Sequence, residues 1–257
     1  MDSISRFRAE TEARGLPSDE VEEWIRIARP AVYASEDGDG PIAVRLGGSP
    51  MLPDDFPEPD AQFVAAVDCA ALPPSATDLP LPPDGQLLFF AEPDVASTGV
   101  LPDQVVYVPA GTPTTERPIE TSWHAAYEPR QLRGIRHQLS WPHDEGGDYD
   151  QDGKWQERRN EPAAVWSEVV GRGPGWTLQI GGHPIIANWD PVEVAREELP
   201  VGDASGQADA DDWVLLATWQ CGEDVDELDH GLIHWVIRRQ DLADLRFDRV
   251  YLYVDMI

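Results

Sequence analysis

A chain of 257 residues with 41% apolar side chains and ten Trp can fill one large core or two small ones, and it holds no apolar run long enough to span a bilayer. Its 48 acidic residues against 19 basic ones give a formal net charge of −29. That balance excludes nucleic acid and anionic membrane surfaces as partners, since both need cations to meet their phosphates, and it favours a basic protein.

The N-terminus, Met1-Asp-Ser-Ile-Ser-Arg6, lacks the basic-then-apolar order of a secretory leader, so the expected location is the cytoplasm. Residues 2–14 read as a helix ended by Gly15 and Pro17. Ser18–Arg29 reads as a stronger one. Ser18 is its expected cap, Asp19 and Glu20 suit the positive end of the dipole, and Val21, Trp24, Ile25 and Ala28 form one apolar stripe before Pro30. From Ile42 the period falls to two. Ile42–Leu46, Phe63–Val67, Leu87–Phe90 and Val105–Val108 are short β-branched or aromatic runs bounded by Gly, Pro and Asp. Residues 70–84, rich in Pro and Asp, read as loop, and residues 110–133 fit neither period. Residues 144–161 and 197–212 are acidic, Gly-containing surface insertions. Trp176–Ile180, Trp213–Trp219, Leu232–Arg238 and Arg249–Val254 form a second set of strands, with one helical turn at Asp241–Arg246.

The two sets align with each other. Leu46-Gly-Gly-Ser-Pro50 returns as Ile180-Gly-Gly-His-Pro184, Phe63–Cys69 as Leu215–Cys221, Gly85–Phe90 as Gly231–Val236, and Asp103–Val108 as Asp248–Tyr253. The expected fold is therefore α+β and mainly antiparallel β, with two pseudo-repeated β-rich halves packed together behind N-terminal helices. The corresponding segments are 1–41 (helices), 42–109 (first repeat), 110–175 (connection with an acidic insertion) and 176–257 (second repeat), in one compact domain. Pro50 and Pro184 follow the Gly47-Gly48 and Gly181-Gly182 pairs, so these open no helix and instead permit a tight turn or a close backbone approach.

Catalytic motifs are scarce. There is no Gly-x-Ser-x-Gly elbow, Walker loop or dinucleotide fingerprint. Cys69 and Cys221, at equivalent places, read as buried reduced thiols, and neither has a nearby basic neighbour to activate it. Asp148, Asp150 and Asp152, followed by Gly153, repeat the opening of an EF-hand loop, but Arg159 stands where the bidentate Glu should be. A solvated acidic loop is favoured over a calcium site, and no cofactor is expected. His230 and His234 lack the Glu of a metalloprotease helix. A ligand site in the cleft between the halves would draw on Arg45, His183 and His234.

The blocks Leu46–Pro53, Phe63–Asp68, Leu81–Phe90, Ile180–Pro184 and Gly231–Trp235, followed by Asp241-Leu242 and Phe247, resemble the YwqG-like family, a bacterial group without an assigned reaction. The resemblance covers most of residues 42–254. It implies an α+β fold with extensive antiparallel sheet, and some relatives look like companions of secreted-toxin cassettes. Leu216-Ala-Thr-Trp219 departs from the family pattern. Charge, missing catalytic constellation and resemblance together lead to a non-enzymatic binding protein for a basic partner, of the immunity-neutraliser type, with Asp209, Asp211 and Asp212 as contact residues. The alternative is an enzyme or small-molecule binder using the cleft.

Overall fold

Short apolar runs punctuated by Gly and Pro bury their faces by pairing edge to edge, and here they do so in one sheet. A computed structural model describes residues 3–256 apart from 39, 74, 95–96, 120–125, 141–146, 150–154, 158–160, 171–175, 200–211, 223–224, 226–227 and 229–230. In chain order the helices are α1 (Ser3–Ala13), α2 (Ser18–Ile27), α3 (Glu161–Val170), α4 (Pro191–Glu198) and α5 (Arg239–Ala243). The strands are β1 (Arg29–Ser35), β2 (Ile42–Leu46), β3 (Met51–Pro53), β4 (Phe63–Asp68), β5 (Gln86–Phe90), β6 (Val105–Val108) and β7 (Thr114–Glu116). They continue as β8 (Arg130–Ser140), β9 (Gly147–Tyr149), β10 (Trp155–Glu157), β11 (Leu178–Ile180), β12 (Trp213–Gln220), β13 (Leu232–Arg238) and β14 (Tyr251–Asp255). No helix among the described residues is long and apolar enough to cross a membrane.

Ten strands make one antiparallel sheet in the order β14-β13-β12-β11-β1-β8-β2-β4-β5-β6, curled into a half-barrel. The order reads as the same set of strands from either edge. Leu46 faces Ala65 as Ile180 faces Ala217, and Ala65 faces Phe89 as Ala217 faces Trp235. The register shifts between Phe63 and Ala65 and again, at the equivalent place, between Leu215 and Ala217. The last block is the exception to the sequence alignment. Val105 and Leu252 face Phe89 and Trp235 respectively, so they are the true counterparts, two residues away from the match read in sequence. A period-two pattern matches itself equally well at any even slip, and only pairing fixes it.

The centre of the sheet is where sequence reading fell short. β1 lies within the segment read as N-terminal helices, and β8 begins in the segment that fitted neither period. Each leads into one half yet pairs with the second strand of the other: β1 with β11, β8 with β2. The two then pair with each other. Pro30 is tolerated in β1 because β11 reaches only Val32–Ala34, leaving Pro30 with a neighbour on one side. α2 stops at Ile27, and its N-cap is Pro17, which makes no side-chain cap bond, so Ser18 is already inside the helix.

The halves bury apolar faces inside the curl. Phe89 and Trp235, at equivalent places, meet there with ring centroids 5.0 Å apart, and the Trp235 indole N–H donates to the Phe90 carbonyl at 3.3 Å. Tyr127 packs on Trp219 at 4.9 Å, and Cys69 and Cys221 sit in the same core. Gly99 exchanges two backbone hydrogen bonds with Leu252, which covers part of the β14 edge. Outside the curl, Phe63, Leu88 and Phe90 lie under Leu52 and Ile119 beside the small β3–β7 sheet, whereas Trp213, Leu215 and Val236 lie under Ala195 of α4. α1, α2 and α3 form their own layer, where Phe7 meets Trp24 at 5.0 Å and Trp166 at 5.6 Å.

Candidate functional site

The outer faces of the two halves carry different residues along matched cross-strand rows. In the first half Arg45, Ala66, Leu88 and Val106 stand side by side. The same places in the second half hold Gln179, Thr218, His234 and Tyr253. His234 is fully buried. Its Nδ1 shares a 2.9 Å hydrogen bond with the Thr218 hydroxyl and its ring stacks on Tyr253, while Nε2 has no partner among the described residues. Burial drives its pKa down to about 4 against the pull of Asp255, so the imidazole is neutral at neutral pH. Burial also pushes the Tyr253 phenol up to about 12, with Asp255 adding to the rise.

Asp255, itself buried, accepts from the backbone N–H groups of Ala187 and Asn188 at 3.0 and 3.1 Å and from the Asn188 amide at 2.6 Å. The Gln179 amide donates to the carbonyls of Gly181 and His183 at 2.9 and 2.7 Å. His183 makes two further bonds. Its backbone N–H donates to Ser140 Oγ at 2.7 Å, and its Nε2 lies 2.9 Å from the Ile27 carbonyl, so that nitrogen carries the proton. Burial lowers its pKa, partly offset by the bond to Ile27. These polar groups fasten the segment after β11 onto the sheet and α2. The fastened segment presents Trp189, which is 69% exposed.

On the first half the corresponding face is open. A cavity of about 590 Å³ lies over the row Asp68, Gln86 and Val108, walled by Met51, Thr114 and the turn after β6. Arg45 borders it and donates to Gln86 Oε1 at 3.3 Å, with no carboxylate at ion-pair distance among the described residues. Asp68 accepts the Ala70 N–H at 3.0 Å, and Asp84 accepts the Tyr107 hydroxyl at 3.4 Å. Cys69, next in the chain to Asp68 but turned into the core, is pushed up to about 12 by burial, then by Asp68 and Asp84, which makes it a poor nucleophile.

Arg45, His183 and His234 therefore form no common lining. Four strands, β8, β1, β11 and β12, separate β2 from β13 in the sheet. Asp212 accepts the Gln240 N–H at 3.2 Å, capping the start of α5, and Asp209 and Asp211 lie outside the described residues. Asp148 is on β9 opposite Gln156, while Asp150 and Asp152 also lie outside the described residues. Among the described residues no group of three or more His, Cys, Asp or Glu is placed to hold a metal. Sequence reading missed Gln179, Thr218, Asp255, Asp68 and Asp84. The signal for the first two was in the repeat itself, where a polar residue stands opposite an apolar or charged one at matched positions.

A family described as a domain of unknown function (DUF1963) matches residues 44–255. The protein belongs to the DUF1963 family. The match covers the large sheet except β1 and the first two residues of β2, so the DUF1963 region holds both the polar row and the cavity, and the first two helices lie before it. No curated protein matches the chain.

Proposed function

We propose that this DUF1963 protein is a non-enzymatic binding protein that captures a basic protein partner, as an immunity-type neutraliser does. The observation that carries the reading is the charge of the first half. Residues 42–109 hold ten carboxylates and a single cation, Arg45, and eight of the ten carboxylates belong to exposed residues. Such a surface raises the encounter rate with a cationic partner and rejects an anionic one. Trp189 adds a large aromatic held on a fastened segment, the kind of side chain that anchors interfaces. The space between the halves is packed with Phe89, Trp235, Tyr127 and Trp219, which favours a surface partner over a small molecule in that cleft. Within the family we place the chain with the YwqG-like proteins, regard its halves as products of an internal duplication, and locate it in the cytoplasm, which suits two unpaired thiols.

Affinity capture from the native host at low and moderate salt, followed by association kinetics with the captured basic protein, tests the reading. Association should slow about tenfold between low and moderate salt, with dissociation changing less. Asp209→Asn combined with Asp211→Asn should slow it in the same sense at low salt, with Asp212 left in place because it caps α5. A chain that captures no basic partner at either salt, or whose partner associates at a rate blind to both changes, ends this proposal.

A further inference from the structure

Comparison of the two halves shows one place where equivalent elements are used differently. In the second half, Gln179 spends its amide on its own Gly-Gly turn, and Asp255 ties down Ala187 and Asn188. The chain itself thus fills the outer face beside β14. In the first half, the residue equivalent to Gln179 is Arg45 and the residue equivalent to Asp255 is Val108. Val108 has no side-chain acceptor to tie a segment down there. A cavity of about 590 Å³ remains, a size that ligand sites commonly have.

The groups around it carry both charges: Arg45 from β2, Asp68 from the end of β4 and Asp84 from the turn before β5. Among the described residues the Arg45 guanidinium bonds only one neutral oxygen, that of Gln86, out of five N–H donors. Asp68 and Asp84 each use one oxygen in the bonds described and keep the other. Val108 and Met51 supply apolar surface in the same cavity. An anion alone would meet Arg45 but be repelled by both carboxylates. A cation alone would meet the carboxylates but be repelled by Arg45. A molecule carrying both charges on a short apolar spacer satisfies all three, with charge-assisted bonds at each end.

We propose that this cavity binds a small zwitterionic amino compound, its acid group on Arg45 and its ammonium between Asp68 and Asp84. This goes beyond the capture of a basic protein and stands or falls independently of it, because the probes are small molecules and no partner is present in the test. Three four-carbon probes separate the possibilities: 4-aminobutyrate with both charges, butylamine with the cation only, and butyrate with the anion only. Ligand-observed NMR titration on the full chain should give 4-aminobutyrate a dissociation constant at least about tenfold lower than either single-ended probe, since one charged end lost at this site corresponds to that factor or more. Arg45→Gln should remove the advantage over butylamine, and Asp68→Asn with Asp84→Asn should remove the advantage over butyrate. All three residues are exposed, and matched melting curves confirm that the variants fold. Butylamine binding as tightly as 4-aminobutyrate would reduce the site to general attraction by an acidic surface and overturn the proposal. Absence of detectable 4-aminobutyrate binding at tens of millimolar, or binding unchanged in both variants, would overturn it as well.

Discussion

His234 and Leu88 hold the same place in the two halves, and what separates them is a titration. In an unfolded chain imidazole titrates near 6.5. In the fold, burial holds His234 to about 4. Between those values the unfolded state binds the extra proton, so stability falls as pH drops from about 6.5 to about 4, and this group changes nothing further below that. The span is worth about 3 kcal/mol. Introducing the first half's residues, His234→Leu with Thr218→Ala, should flatten that part of the pH dependence. His234→Leu alone leaves the buried Thr218 hydroxyl without its partner and should cost about 1–3 kcal/mol at pH 7. Urea unfolding at pH 7 and pH 5 measures both effects. Parallel pH slopes for the parent and the double variant would show that His234 is not the group that charges.

The Gly-Gly turns decide how each strand leaves the sheet. Gly47 and Gly48 have φ of +65° and +70°, and Gly181 and Gly182 have +67° and +78°, so the same left-handed pair ends both β2 and β11. Gly47 also has no room for a side chain: a Cβ there would stand 2.5 Å from the carbonyl oxygens of Tyr127 and Glu128. Gly15, at φ +74°, has nothing within 4 Å. Gly47→Ala should therefore cost about 3 kcal/mol or more, combining backbone strain with displacement of the chain before β8, whereas Gly15→Ala should cost only the strain, about 1–2 kcal/mol. Thermal melts of the two variants compare them, and equal losses would mean that the close approach at Gly47 yields freely. These turns were legible in sequence because Pro50 and Pro184 rule out a helix. α4 was missed, although its start is local: Asp190 caps the Val192 N–H and Pro191 follows it, in a region read only for its acidic composition.

At the scale of the molecule, charge opposes the curl. A formal net charge of −29 on one compact chain destabilises it by self-repulsion. Exposed pairs such as Arg8–Glu22 and Arg26–Glu23 offset little of this, because solvent screens them. Raising salt shortens the screening length from about 30 Å at 0.01 M to about 8 Å at 0.15 M. The melting temperature should accordingly rise over that range, and differential scanning calorimetry reads it directly. A fall would mean that the surface ion pairs outweigh the repulsion.

The sequence by itself determined the α+β class, eight of the strands that build the large sheet, and the match between three of the four aligned blocks. Each of these rests on local periodicity and on turn residues that act within a few positions. It could not place β1 and β8, because their partners lie across the molecule and a run such as Arg29–Ser35 carries no pattern of its own until β8 and β11 flank it. Nor could it tell that Arg45 faces an open cavity while His234 is sealed, although both stand on the outer face in equivalent rows of the two halves. That difference depends on what covers each face: the β3–β7 sheet leaves a gap over one half, and the segment fastened by Asp255, with α4 behind it, closes the other. Burial is a property of the surroundings, and only the tertiary structure supplies them.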